Sequence, residues 1–382
     1  MNESYNNNKD PGSPFRGRGG HKRVIIAGGG TGGHIFPAIA IANALKKIDR
    51  DIEILFIGAK GRMEMEKVPQ AGYRIEGLNI AGFNRSSLIK NIGLPFKLLK
   101  SFLQVRTIFK KFKPDAAIGV GGYSSFPVLR FAQARRIKTF IHESNSFAGR
   151  ANIMLGRKVT KVFTGTGGME KFFPQEKILV TGNPVRAAIA GSSVSRTVGQ
   201  QFFSLDETKK TLLVVGGSLG AKSINEAIDK GLDELLNAGL QLIWQTGKPY
   251  SVKAKERAMG KQGVWVNEFI TQMEYAYAAA DIVVARSGAM TVAELCVAKK
   301  PVLFVPYPFA AEDHQTVNAM QLVNKNAGLM VKDSEAKQKL VSMTIDLAKD
   351  TAKQEGLKRN IAALAITDAD MKIAEEVLKS IE

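Results

Sequence analysis

Val24–Leu45 reads VIIAGGGTGGHIFPAIAIANAL, and the reading of this stretch decides the fold. It is free of formal charge over 22 residues, long enough to raise a membrane span. Five glycines in six positions (Gly28, Gly29, Gly30, Gly32 and Gly33), interrupted by Thr31 and followed by Pro37, would leave backbone groups unpaired in lipid. The pattern therefore predicts a strand over Val24–Ala27, a glycine loop and a helix over Ile35–Lys47. The same order recurs at Leu212–Ala221, LLVVGGSLGA.

Short β-branched runs extend each copy. Ile52–Ile57, Ala116–Val120, Lys138–His142, Lys161–Thr164 and Lys177–Val180 follow the first. Leu240–Gln245, Val264–Val266, Asp281–Ala285 and Pro301–Val305 follow the second. Most are apolar on successive residues, as buried parallel strands are, with helix-length segments between them. The expectation is an α/β fold of two Rossmann-like, doubly wound domains facing across a cleft. Residues 21–185 form the first domain and 186–365 the second. The stretch 182–201, rich in Gly and Ser, reads as linker, 1–20 as a tail with nothing to bury, and 366–382 as a terminal helix able to join the first domain.

Charge separates the halves. Residues 1–190 carry 31 basic and 12 acidic side chains, and residues 191–382 carry 23 of each, so the whole net charge of +19 lies in the first half. That excludes a uniformly basic chain and points one half toward an anionic partner. A single cysteine, Cys296, excludes a disulfide framework, and four histidines without metal spacing indicate no metal site. Residues 1–20 lack the apolar core of a secretory signal, so a cytoplasmic protein is expected.

Three glycine loops end predicted strands: GGGTGGH, GVGGYSS (Gly119–Ser125) and GGSLGA. Ligands of open α/β sheets bind at that edge, where helix N-termini offer free N–H groups to anions. The first loop contains G-x-G-x-x-G, yet the second strand ends in Ile57 and Gly58 with no acidic residue for a dinucleotide ribose, and no Gly-Lys-Ser/Thr makes a P-loop. A phosphate- or sugar-binding cleft remains. His34 opens the first helix, as a base or hydroxyl partner or as a packed cap residue. HESN (His142–Asn145) sets Glu143 and Asn145 at the same edge, for sugar hydroxyls or for a turn. ARSGAMTVAE (Ala285–Glu294) starts a helix with Thr291 and Glu294 on one face, suited to a diphosphate and a ribose or merely solvated.

Phe83–Lys113 holds eight basic and no acidic residues, Lys90, Lys97, Lys100 and Arg106 among them, interleaved with Leu and Phe at helical spacing. It reads either as a surface for an anionic membrane or as a core-packed helix with a solvated basic face. Nucleic acid is disfavoured, since no recognition motif accompanies the charge.

The ordered set GGGTGGHIFPAIAIA, GVGGYSSFPVL, HESN, VTGNPVR, GGSLGA, EFI, ARSGAMTVAEL, PVLFVPYP and DHQTVNA closely resembles the MurG family, the N-acetylglucosaminyltransferases of peptidoglycan synthesis, over Lys22–Glu382. The resemblance implies the two-domain GT-B architecture and inverting transfer of GlcNAc from UDP-GlcNAc to the 4-hydroxyl of MurNAc-pentapeptide on undecaprenyl diphosphate (lipid I). It implies no cofactor and a peripheral place on the cytoplasmic face of the inner membrane. Carried over by motif, donor contacts fall on Thr31, Gly32, Gly33, Asn145, Arg186 and Ser218, on Ile270 beside the uracil, on Ala289, Met290, Thr291, Val292, Ala293 and Glu294 around diphosphate and ribose, and on Gln315. His34 and Glu143 match catalytic or acceptor positions, and Tyr123 another cleft position. The chain departs at Ser144 and Leu219, where many members carry glutamine.

Overall fold

The computed structural model describes residues 21–80 and 94–382. The first sheet holds β1 (Arg23–Ala27), β2 (Glu53–Ala59), β3 (Arg74–Leu78), β4 (Ala116–Gly119), β5 (Lys138–Glu143), β6 (Lys161–Thr164) and β7 (Ile178–Val180). All are parallel, in the order β3-β2-β1-β4-β5-β6-β7. The second sheet holds β8 (Lys210–Val215), β9 (Leu240–Gln245), β10 (Val264–Asn267), β11 (Ile282–Ala285), β12 (Val302–Phe304) and β13 (Leu329–Met330), parallel in the order β10-β9-β8-β11-β12-β13. The fold is the pair of doubly wound domains read from the sequence.

Period-two alternation splits each central strand between two cores. Val24 and Ile26 of β1 meet one helical layer with Ile41 and Leu45, while Ile25 and Ala27 meet the other with Val105, Val128 and Leu129. In β8, Leu212 and Val214 face one cluster and Leu213 and Val215 the other. The strand order reverses beside β1 and beside β8, so both quoted glycine loops leave the sheets at topological switch points. The chain then returns: helix Ala369–Ser380 buries Ile373, Ala374, Val377 and Leu378 in the core of the first sheet, against helix Gly32–Ile48.

Three local readings are corrected. β3 and β13 escape sequence reading: β3 is a half-exposed edge strand carrying Arg74 and Glu76, and β13 has two residues. The 182–201 stretch is not plain linker. It holds helices Ala187–Ala190 and Arg196–Phe202, the second capped by Ser195 and fixed by the Arg196–Asp281 pair at 2.9 Å. The first helix starts at Gly32, so Gly32 and Gly33, read as loop, join His34 in its first turn.

Candidate active site

A cleft of about 480 Å³ runs between the two sheets and takes side chains from both. This lies within the range of small-ligand pockets, about 300 to 1,000 Å³. On the first side, the glycine loop after β1 is tied down from three directions. Gly28 N–H donates to Ile57 O (3.1 Å), Gly29 N–H to Gly121 O (3.2 Å) and Gly30 N–H to the buried Glu64 carboxylate (2.8 Å), which also takes Ala59 N–H (3.0 Å). The loop after β4 packs so closely that a Cβ on Gly122 (φ +86°) would lie 2.4 Å from Gly29 O, so glycine is required there.

This packing sets His34. Its Nδ1 lies 3.0 Å from Gly29 O. A carbonyl only accepts, so Nδ1 carries the proton, and Nε2 of the neutral ring keeps its lone pair. Nε2 sits over Gly121, where a Cβ would come within 2.7 Å of it. The ring lines the cleft with Thr31, Gly32, Gly33 and Phe36.

The second side is built from β-strand ends and helix starts. Gln245, the last residue of β9, donates to Gly217 O (2.9 Å) and accepts from Ile270 N–H (3.1 Å), fixing the Ser218 loop and the EFI segment with one side chain. Gly220 (φ +75°) could carry no Cβ, which would meet Thr246 O at 2.0 Å. Helix Ala289–Ala298 begins in the cleft at Gly288, Ala289, Met290 and Thr291, without a side-chain cap, so its first N–H groups face an incoming anion.

Glu294 projects from that helix into a bidentate pair with Arg186 (2.8 and 3.1 Å) and accepts from Tyr277 OH (3.1 Å). Burial works against the Arg186 charge, but Glu294 holds its pKa above the ordinary arginine value. Burial, and then the Glu294 charge, push the Tyr277 phenol well above its usual range, keeping it a donor. An ionised carboxylate offers about four acceptor positions, so one stays open for a hydroxyl. Arg186 also stacks 5.3 Å over the Phe36 ring of the opposite domain. Gln315 lines the floor, held by Ser287 Oγ on its carbonyl (2.8 Å) and by Tyr307 N–H on its amide oxygen (3.0 Å). The turn before it places Glu312 and Asp313 at positive φ (55° and 51°).

Thirteen of the residues singled out from sequence meet in this cleft: Thr31, Gly32, Gly33, His34, Asn145, Arg186, Ser218, Ile270, Ala289, Met290, Thr291, Glu294 and Gln315. Others do not. The Glu143 carboxylate is buried and occupied by Asn145 N–H (3.1 Å), Gly149 N–H (3.0 Å) and Asn152 Nδ2 (2.8 Å), so it shapes the loop below the cleft rather than facing substrate. Val292 and Ala293 fall on the back of their helix, because a continuous run of six residues exceeds one helical face. Tyr123 is exposed, outside the lining. Lys97, Lys100 and Arg106 are exposed on helix Leu94–Phe112, and Lys90 lies outside the described residues.

Sequence reading missed Glu64, Gln245, Tyr277 and Asn318. Buried Asn318 accepts from Ser146 N–H (3.1 Å) and donates to Ser287 O (3.1 Å), joining the HESN loop of one domain to the loop after β11 of the other. Its signal was present, since DHQTVNA starts this helix, but its partners lie 172 and 31 residues away. Among the described residues, no three His, Cys, Asp or Glu side chains gather as metal ligands.

The chain matches the glycosyltransferase family 28 N-terminal domain over residues 24–164 and the C-terminal domain over 211–375. A relative from Phocaeicola vulgatus, UDP-N-acetylglucosamine–N-acetylmuramyl-(pentapeptide) pyrophosphoryl-undecaprenol N-acetylglucosamine transferase, is 50% identical over 361 residues, 94% of this chain and 96% of that protein. The Parabacteroides distasonis enzyme of the same name is 47% identical over 94% of this chain and 98% of its own. Among solved structures, MurG of Acinetobacter baumannii is similar with a TM-score of 0.76 and 27% identity, over 94% of this chain and 99% of that one. The chain belongs to the MurG family of N-acetylglucosaminyltransferases, within glycosyltransferase family 28.

Proposed function

We propose that the cleft transfers GlcNAc from UDP-GlcNAc to the 4-hydroxyl of MurNAc-pentapeptide on undecaprenyl diphosphate, with inversion at the sugar. The observation that carries the chemistry is the His34 tautomer: Nδ1 is committed to Gly29 O, and the Nε2 lone pair is left for a hydroxyl proton. The acceptor oxygen attacks the anomeric carbon as the bond to UDP breaks, and the proton passes to Nε2. Charge growing on the leaving diphosphate meets the free N–H groups of helix Ala289–Ala298 and Ser218. Glu294 takes a ribose hydroxyl at its remaining acceptor position, Ile270 lies beside the uracil and Gln315 reads the sugar. Radiolabelled transfer from UDP-GlcNAc to lipid I tests the reading. Label reaching the lipid supports it, and label released only as free GlcNAc contradicts it.

The enzyme works from the cytoplasmic face of the inner membrane as a peripheral protein. Support comes from helix Leu94–Phe112, whose Val105 and Phe109 are buried while Phe96 (77% exposed), Leu99 (63%) and Leu103 (57%) stand on one face beside Lys97 and Lys100. One helix thus packs on the core with one side and offers an apolar, basic strip with the other. Among the described residues, no helix is long and apolar enough to cross a membrane.

A further inference from the structure

Glu64, the first residue of helix Glu64–Gln70, is 1% exposed and lies against the glycine loop after β1. Its side chain fills space that two glycines leave, since a Cβ on Gly29 or on Gly58 would fall on it. Each carboxylate oxygen takes one backbone N–H, from Gly30 (2.8 Å) and from Ala59 (3.0 Å). Among the described residues no lysine or arginine pairs with it, so no counterion offsets its charge.

Gly30 N–H and Gly29 C=O are the two ends of one peptide group. That bond is trans, so the two ends point in opposite directions. Glu64 therefore holds one end while His34 Nδ1, 3.0 Å from Gly29 O, holds the other. The carboxylate polarises the peptide and makes Gly29 O the stronger acceptor, as linked hydrogen bonds reinforce one another away from water. A competing arrangement stands close by. Thr31 Oγ1 is 3.5 Å from the same Nδ1, and its hydroxyl can donate to a bare nitrogen, which would put the ring proton on Nε2.

We propose that Glu64 is a positioning residue for sugar transfer: through the Gly29–Gly30 peptide it fixes the Nδ1–H tautomer of His34 and steadies the imidazolium formed when Nε2 takes a proton. The inference rests on His34 acting as the base. The proton leaving the acceptor hydroxyl ends on Nε2, and Glu64 itself gains and loses none. A carboxylate does this work directly in a Ser-His-Asp triad, whereas here one peptide stands between. Glycine at 29 is what lets that peptide lie against the carboxylate.

The tautomer is read from the two ring nitrogens of His34 by NMR of the full chain labelled with nitrogen-15 histidine, at mildly alkaline pH, with His34→Ala identifying the signals. In the wild type the Nδ1–H form is expected to exceed the Nε2–H form about tenfold or more. Glu64→Gln keeps the shape but sets an N–H against a backbone N–H, and is expected to cut that ratio about tenfold. In transfer assays it should lower kcat about 10- to 100-fold, with the dissociation constant for UDP within about twofold. In a His34→Ala background the same change should cost less than about twofold, because its effect runs through that ring. A wild-type ring mainly in the Nε2–H form overturns the relay without any variant, and so does a ratio unchanged by Glu64→Gln. Equal loss of turnover in both backgrounds assigns Glu64 to loop packing alone and overturns the proposal. His34→Ala with unaltered turnover refutes the base, and the tautomer ratio, which needs no sugar transfer, still decides whether Glu64 holds the ring.

Discussion

Helix Leu94–Phe112 and helix Met273–Ala279 occupy the same topological place, each leading from the outer strand of its sheet back to the strand beside the switch point. The first is 19 residues long, basic, and leaves Phe96, Leu99 and Leu103 in solvent. The second is seven residues long, buries Met273, Ala276 and Tyr277, and turns the Tyr277 hydroxyl onto Glu294. One connection has been spent on a surface and the other on a site. Under the function proposed above, the neutral half meets a soluble nucleotide sugar and the basic half an acceptor held at a membrane, which accords with the whole charge excess lying in one of two similarly folded domains.

The comparison breaks first at His34, the base proposed for the first half. His34→Ala should cut turnover by about 100- to 10,000-fold while UDP affinity stays nearly unchanged. Steady-state transfer and UDP titration check both parts, and unaltered turnover removes His34 from the mechanism. Next comes the exposed helix. Replacing Lys97, Lys100 and Arg106 with Ala should weaken binding to anionic vesicles by about 3 kcal/mol, near 1 kcal/mol per charge, and leave binding of UDP intact. Vesicle sedimentation at graded anionic lipid content measures it, and indifference to lipid charge would give the excess another purpose.

The buried helix is tested through its partner. Glu294→Ala should raise the dissociation constant for UDP roughly 30-fold, about 2 kcal/mol, the range of a hydrogen bond to a charged group, with little effect on vesicle binding. The smallest effect concerns pH. Burial pushes His142, at the end of β5, down to about 4, whereas the corresponding strand of the second sheet, β12, is apolar throughout. The unfolded chain takes up the proton first, so stability is complete above the ordinary histidine value near 6.5 and is lost as pH falls toward 4. The loss between neutrality and pH 6 is on the order of 1 kcal/mol, and His142→Gln should remove it. Denaturation midpoints against pH give the answer.

How much was legible follows physical lines. Central strands announce themselves because burial on both faces demands unbroken apolar runs, as in Leu212–Val215. Edge strands such as β3 carry no such demand. Glycine loops were readable, since Gly122 and Gly220 have neighbours that exclude any side chain. The groups that hold those loops were not. Glu64 and Gln245 act on backbone 34 and 28 residues away, a relation that no local pattern records. Glu143 misled because a carboxylate at a strand end looks the same in sequence whether it faces a sugar or, as here, is taken up by donors of the loop and helix that follow it.

The most direct test combines the two halves in one tube: radiolabelled UDP-GlcNAc, lipid I in anionic vesicles, and wild-type or His34→Ala protein. The account predicts labelled lipid with a β-linked GlcNAc from the wild type and a loss of about 100-fold or more in the variant. Labelled lipid formed equally by both, or a retained α-linkage, would contradict it.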